Sequence, residues 1–372
     1  MKLKKIKILE AIRQGKVGGG ETHVLALCIN LDKSQFEPVV LSFTEGPMVE
    51  ELRKRGIKTK VIYTEKGFDY RVWNQVLEFI QSEKFDIIHA HGTRAMSNVF
   101  WAAKKVQLPL IYTVHGWSFH PDQNLLVRKI REFSEMFLTS RADATICVSK
   151  SNENDGIKYL NLKRSRVIYN SVDLDKFSPD KKFKDVRAEL GILSNLTVIG
   201  YVVRMTVQKD PFTMIRAMKI LADKTDDIVL LMVGEGDLKS DAIKLATELK
   251  IQNKVIFESF RSDIPDVLNA IDIYCLPSLW EGFPIGILET MAMKRSVVCS
   301  PVDGNIELVT NDETGILVGI RQPAKLAEAL FSLHTDKIKR NLLAQRGYDH
   351  VKKNFGLSQL ITKVQSVYKE FC

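Results

Sequence analysis

The sequence predicts an α/β protein made of two doubly wound, mostly parallel sheets. Three observations lead to that expectation. Short apolar runs of strand-like composition alternate with stretches of helical period through both halves of the chain. Glycine-containing loops stand between strand and helix at Gly18-Gly19-Gly20, at Gly234-Glu235-Gly236 and at Gly282-Phe283-Pro284-Ile285-Gly286. The length, 372 residues with 45% hydrophobic and 27% charged, suits two domains that each bury a core.

Taken in order, Lys5–Ala11 reads as the first strand. The start from Met1 to Lys5 has the basic end of a signal peptide, but Lys7 and Glu10 break the apolar run. Val17 and the three glycines then precede a helix through Leu25, Leu27 and Leu31. This is not a G-x-G-x-x-G pattern, and no acidic residue completes a dinucleotide fingerprint. Further strands are expected at Glu37–Phe43, Lys58–Tyr63, Phe85–His91, Leu108–Val114 and Ala142–Val148. The helix Met48–Arg55 stops at Gly56. His89 and His91 point the same way in a strand; no third ligand is evident beside them, so no metal is assigned. Asn124–Thr139 is amphipathic, with Leu125, Leu126, Ile130, Phe133 and Phe137 apolar and Arg128, Lys129 and Arg131 basic. It is expected to face the core or to touch lipid.

In the second half, strands are expected at Leu196–Val203, Ile228–Val233, near Val255–Phe257, at Ala270–Pro277 and at Val297–Ser300. Gly315–Val318 reads as a small hairpin-like piece, and helices run from there to Cys372. Pro284 suits a first helical turn, where its missing N–H would be unpaired anyway. The expected division is a first domain over 1–170, a linker over 171–185, a second domain over 186–355 and a terminal helix over 356–372 that crosses back to the first domain.

Composition narrows the function classes. Five cysteines without a C-x-x-C argue against a disulfide framework or a zinc site, and Cys147, Cys275 and Cys299 lie on apolar strands. No apolar stretch is long enough to span a bilayer, and the expected location is the cytoplasm. Charge is uneven: residues 1–170 hold 27 Lys+Arg and 18 Asp+Glu, a balance of +9, whereas residues 171–372 hold 27 and 27. No nucleic-acid recognition module accompanies that excess. An anionic membrane surface fits it better, which makes peripheral attachment to the inner face of the membrane a further expectation. Arg53, Lys54, Arg55, Lys58 and Lys60 concentrate part of the charge.

The stretch from Ser278 to Thr290 organises the chemistry. A strand, a loop and a helix N-terminus present free N–H groups and a positive dipole end, which suits phosphate. Glu281 and Glu289 bracket it, and a carboxylate can accept two hydroxyl donors from a sugar diol. Elsewhere, Arg204 and Lys209 follow a buried strand, and His115 follows Leu108–Val114, at the strand end where doubly wound sheets bind ligands. Arg offers a rigid donor fork and Lys a mobile point charge for a diphosphate.

Glu281 to Glu289 resembles the E-x7-E signature of retaining glycosyltransferases with the two-Rossmann-domain GT-B fold, and most closely the large family 4. Thr113-Val114-His115-Gly116, Val167-Ile168-Tyr169-Asn170-Ser171-Val172-Asp173 and Val233-Gly234-Glu235-Gly236 match further segments of that family. Ser171, Val203 and Phe260 stand where the family usually has Gly. The resemblance implies two Rossmann-like domains facing across a cleft and transfer of a hexosyl group from a nucleotide-sugar, UDP-linked more often than not, with retention of configuration. The acceptor would be a hydroxyl of a sugar or lipid-linked sugar. It assigns catalysis to His115, Glu281, Arg204 and Lys209. Donor binding falls to Gly18, Gly19, Gly20, Arg204, Lys209, Gly234, Phe260, Glu281, Gly282, Phe283, Ile285, Gly286 and Glu289. It implies no metal and no cofactor, the nucleotide-sugar being a substrate. Asp173-Leu174-Asp175 spells the D-x-D metal motif of another glycosyltransferase fold, and is read as linker. Rivals are a nucleotide-sugar epimerase of the same fold, a D-x-D enzyme, and a non-catalytic nucleotide-binding or membrane-adaptor protein.

Overall fold

The structure is a computed structural model that describes residues 4–15, 18–120 and 122–372. Met1, Lys2 and Leu3 of the basic start, and Val17 before the glycines, lie outside the described residues. The chain forms two compact units, Met1–Ser171 with Leu357–Cys372, and Val172–Gly356.

The first unit holds a sheet of β1 (Ile6–Ile12), β2 (Phe36–Ser42), β3 (Thr59–Val61), β4 (Ile87–His91), β5 (Leu110–Val114), β6 (Ala144–Cys147) and β7 (Ser165–Val167) in the order β3-β2-β1-β4-β5-β6-β7. The second unit holds β8 (Thr197–Val202), β9 (Ile228–Val233), β10 (Val255–Glu258), β11 (Ile273–Leu276), β12 (Ser296–Cys299) and β13 (Ile316–Leu317) in the order β10-β9-β8-β11-β12-β13. Every strand pairing in both sheets is parallel. Helices cover both faces of such sheets, so the strands read as near-continuous apolar runs. Ile8, Leu9, Leu230, Leu231, Ile273 and Cys275 are all fully buried. In each sheet the order reverses at the first strand, which puts a ligand crevice at the C-terminal strand ends.

The Gly315–Val318 segment is not a hairpin. It supplies β13, parallel to β12 in the register Val298↔Ile316, because the helix Asp303–Leu308 intervenes and returns the chain in the same direction. The helix Leu357–Lys369 belongs to the first unit: Leu360, Ile361, Val364, Val367 and Tyr368 pack with Ile8, Leu27, Phe36, Ile87 and Ile146. Each such buried apolar side chain contributes on the order of 2 kcal/mol. Cys28, Cys147, Cys275 and Cys299 are buried free thiols and Cys372 is exposed.

Candidate functional site

In the second unit, β11 leads into the loop that carries Glu281, and the helix Ile285–Ala292 follows. Pro284 is the N-cap of that helix rather than part of its first turn, and no side chain caps the end. The N–H groups of Ile285 and Gly286 therefore have no intrahelical acceptor. Glu289 stands one turn further in. It keeps some contact with solvent, yet burial raises its carboxyl to about 7, with Lys176 acting weakly the other way. Tyr274, on β11, lies against Gly286.

Glu281 is buried. Its Oε1 accepts from Ser278 Oγ at 2.6 Å and from Lys209 Nζ. Its own N–H donates to Asp303 Oδ2 at 2.9 Å. Among the described residues nothing donates to Oε2, so one carboxylate oxygen is left for a ligand hydroxyl. Gln208 joins the two segments: its carbonyl accepts from Leu279 N–H at 2.8 Å and its amide donates to the Trp280 carbonyl at 2.9 Å. Arg204 is exposed; its carbonyl accepts from Thr206 N–H at 3.0 Å, and its guanidinium makes no hydrogen bond or ion pair among the described residues. Gly234 adopts φ 140°, and a Cβ there would fall 2.3 Å from the Val203 carbonyl oxygen; only glycine lets the turn after β9 close on the turn after β8.

These contacts gather Arg204, Lys209, Gly234, Glu281, Gly282, Ile285, Gly286 and Glu289 at the carboxyl ends of β8, β9 and β11. Phe260, half-exposed, follows β10. The ring of Phe283 is buried and packs on Phe355 at 5.3 Å. Sequence reasoning missed Ser278, Gln208 and Asp303. Asp303 sits at φ 37°, a conformation Asp tolerates better than most residues, but no local pattern announces its bond to Glu281. Asp173 Oδ1 accepts from the N–H groups of Asp175 and Lys176 at 3.0 and 2.9 Å, so the D-x-D carboxylate closes a turn.

In the first unit, Gly19 and Gly20 lie within the first turn of the helix Gly19–Asn30, not in a loop before it; Gly18 is the N-cap, without a side-chain cap. A Cβ on Gly20 would touch the His115 ring at 3.3 Å, so glycine lets that ring approach the helix end. His115, just beyond β5, belongs to a buried group. His91 Nε2 lies 2.8 Å from Glu10 Oε2, His91 Nδ1 lies 3.3 Å from His115 Nε2, and Tyr368 OH donates to Glu10 Oε1 at 2.7 Å. His23 Nδ1 lies 3.1 Å from Asn170 Oδ1. Burial lowers His23 to about 3 and His91 to about 4, and takes His115 well below its usual value, with neighbouring imidazoles adding to the effect. Burial alone would raise the Glu10 carboxyl, but His89 and His91 hold it well below the usual carboxylate range.

A neutral His91 that donates from Nε2 to Glu10 leaves Nδ1 to accept from His115 Nε2–H, which fixes the His115 tautomer. The absence of a third ligand beside His89 and His91 is therefore corrected. Glu10 stands opposite His89 in the β1–β4 register, and β5 brings His115 alongside. Two sets, His23/His91/His115 and Glu10/His89/His91, hold their possible ligand atoms within 4.8 Å of one another.

Two family models match consecutive parts of the chain: Glycosyltransferase Family 4 over residues 17–176, and Glycosyl transferases group 1 over residues 182–350. The chain is a family 4 glycosyltransferase. This glycosyltransferase is 28% identical over 349 residues to the Escherichia coli UDP-Gal:alpha-D-GlcNAc-diphosphoundecaprenol alpha-1,3-galactosyltransferase, covering 91% of this chain and 90% of that one. It is 26% identical over 351 residues to a D-inositol 3-phosphate glycosyltransferase of Corynebacterium glutamicum, covering 89% and 81%. The crystal structure of Anabaena Alr3699/HepE in complex with UDP and glucose superposes with a TM-score of 0.87 at 22% identity, over 98% of this chain and 100% of that one. The glycosyltransferase thus has the GT-B fold, with one Rossmann-like parallel sheet in each unit.

Proposed function

We propose that the enzyme transfers a hexosyl group from a UDP-sugar to a hydroxyl of a lipid-linked sugar at an anionic membrane surface, with retention of configuration and without a metal. The observation that carries this reading is the arrangement around Glu281: a buried carboxylate with one unpaired oxygen, held by Lys209 and Ser278 beside an uncapped helix end. Support for the ligand classes comes from the E. coli relative, named for UDP-Gal and a GlcNAc-diphosphoundecaprenol, and from the Anabaena structure with UDP and glucose.

In this reading Arg204, Lys209 and the amides of Ile285 and Gly286 receive the diphosphate, and Glu289 takes the ribose diol. Glu281 Oε2 takes a sugar hydroxyl. The bond from C1 to the leaving phosphate oxygen breaks, and the acceptor oxygen bonds to C1 on the same face. The acceptor proton passes to the leaving phosphate oxygen. No second nucleophile is assigned, as a double displacement would require. Fixed cations and amides stabilise the charge that grows on the diphosphate.

A thermal-shift panel of nucleotide-sugars tests the donor, since a ligand at one hundred times its Kd stabilises by about 2.7 kcal/mol. NMR of the product anomer with a diphospholipid-linked sugar tests retention and acceptor. An inverted product contradicts retention, and isomerised donor formed without acceptor would establish the epimerase instead.

A further inference from the structure

The helix Leu125–Thr139 turns its apolar side to solvent and its carboxylates to the protein. Leu125 is 76% exposed, Leu126 70%, Ile130 60% and Phe133 66%, while Glu132 and Glu135 are buried. At about 100° per residue, Leu125, Met136, Lys129, Phe133, Leu126, Phe137 and Ile130 fall in that order along an arc of roughly 140°. The inward side is fully occupied. Glu135 accepts from Thr93 Oγ1 at 2.6 Å and Tyr112 OH at 3.0 Å, and Glu132 from Arg128 at 2.8 Å and Lys129 at 2.7 Å. The orientation is thus fixed by buried polar contacts; Leu125, Leu126, Ile130 and Phe133 stand out into solvent, while Phe137 at the side of the row packs on Phe100 at 5.4 Å. Phe68, half-exposed and in ring contact with Phe137 at 6.3 Å, extends the row. A contiguous exposed apolar surface of this kind marks an interaction site.

Charge decides the occupant. Residues 1–170 carry a balance of +9, so a second copy of this surface is repelled and an anionic one attracted. Lys129 lies within the apolar arc and is exposed, its stem covering apolar surface while its ammonium pairs with Glu132; Arg131 lies on the other side of the helix and donates to the Ser118 carbonyl at 2.7 Å. The basic stretch around Arg53 is less suited than its sequence implies. Arg53 pairs with Glu45, Arg55 with Glu51 and Lys58 with Glu83. We propose that Leu125–Thr139 lies in the headgroup layer of an anionic bilayer, with Leu125, Leu126, Ile130 and Phe133 in the acyl region and Lys129 at the level of the lipid phosphates. This deepens the lipid-linked acceptor reading and rests on it for its purpose.

The test is co-sedimentation of the full chain with phosphatidylcholine vesicles, with and without phosphatidylglycerol. The wild type binds the phosphatidylglycerol vesicles preferentially. The combined variant Leu126→Ser, Ile130→Ser, Phe133→Ser loses at least about tenfold in partitioning at every salt concentration. Lys129→Glu loses binding most at low salt, because headgroup attraction is screened over about 8 Å at physiological salt. The serine variant keeps the wild-type melting temperature, since its changed side chains face solvent; Lys129→Glu, which loses the ion pair with Glu132, is compared at a temperature where it remains folded. Serine-variant binding equal to wild type overturns the proposal. Wild-type self-association that the serine changes abolish, without vesicle binding, overturns it in favour of a second copy. Failure of the donor reading is separate: UDP would then give no thermal shift in wild type or variant, whatever the vesicles show.

Discussion

Replacing Glu289 by Gln tests the role of this carboxylate through stability and binding together. The carboxyl is raised from 4.5 to about 7, chiefly by burial. An acid whose folded pKa exceeds its unfolded value binds its proton more tightly when folded. Its contribution is most favourable below pH 4.5, declines as pH rises to about 7, and stays at its lower level above. The displacement corresponds to about 3 kcal/mol; the solvent that reaches the carboxylate reduces this to on the order of 2 kcal/mol. Gln cannot ionise. Glu289→Gln should therefore melt higher than wild type at pH 8, by roughly 4–8 °C for a unit of this size, and equally at pH 5. Binding should move the opposite way. Charge-assisted hydrogen bonds from a ribose diol are worth about 1.5–3 kcal/mol, so the variant should bind UDP about tenfold or more weakly at pH 8. Comparing the two proteins at one pH cancels the titration of the diphosphate itself. Differential scanning fluorimetry and calorimetric titration provide both readouts. A variant that melts lower at pH 8, or binds UDP as tightly as wild type, refutes the assignment.

Arg204→Ala should cost about a hundredfold in turnover with unchanged folding, because the exposed guanidinium supports nothing else; a normal rate removes it from the diphosphate site. Lys209→Ala should cost as much in turnover and also lower the melting temperature, since it strands the buried Glu281 carboxylate, a loss of about 3 kcal/mol. Glu281→Ala should abolish transfer while leaving UDP affinity near wild type, and a matching loss of affinity would contradict the separate roles of the two glutamates. EDTA should leave transfer intact, whereas loss restored by manganese or zinc would direct attention to His23, His91 and His115. Acid should weaken the first unit: His23 and His91, held neutral at about 3 and about 4, contribute fully above pH 6.5 and lose that contribution as pH falls towards those values. Chemical denaturation between pH 7 and pH 5 should show the decline, and a flat profile would place these imidazoles in contact with water.

Much of the fold is legible locally because its signals lie between near neighbours. Apolar runs bounded by turn-forming residues mark strands such as Ile228–Val233, set between Asp227 and Gly234, at their observed ends. Asn124 and Asp210 announce helix starts by accepting from N–H groups two or three residues on. Glu281 and Glu289 were visible for the same reason, since one loop and one helical turn separate them. β13 was not: a two-residue strand carries too little sequence to tell a parallel partner from a hairpin arm.

The sequence alone thus determined the alternation of strands and helices, the glycine-containing turns and the residue types around the Glu281 loop. Tertiary structure decided which of them meet. Lys209 reaches Glu281 across 72 residues and Glu10 reaches His91 across 81, because parallel strands adjacent in the sheet need not be adjacent in the chain. It also decided the sense of the helix Leu125–Thr139. A helical period reveals that an apolar face exists, but not which side the protein covers. Here Tyr112 and Thr93 hold Glu135 inward, since a buried carboxylate without donors costs more than apolar side chains left in water.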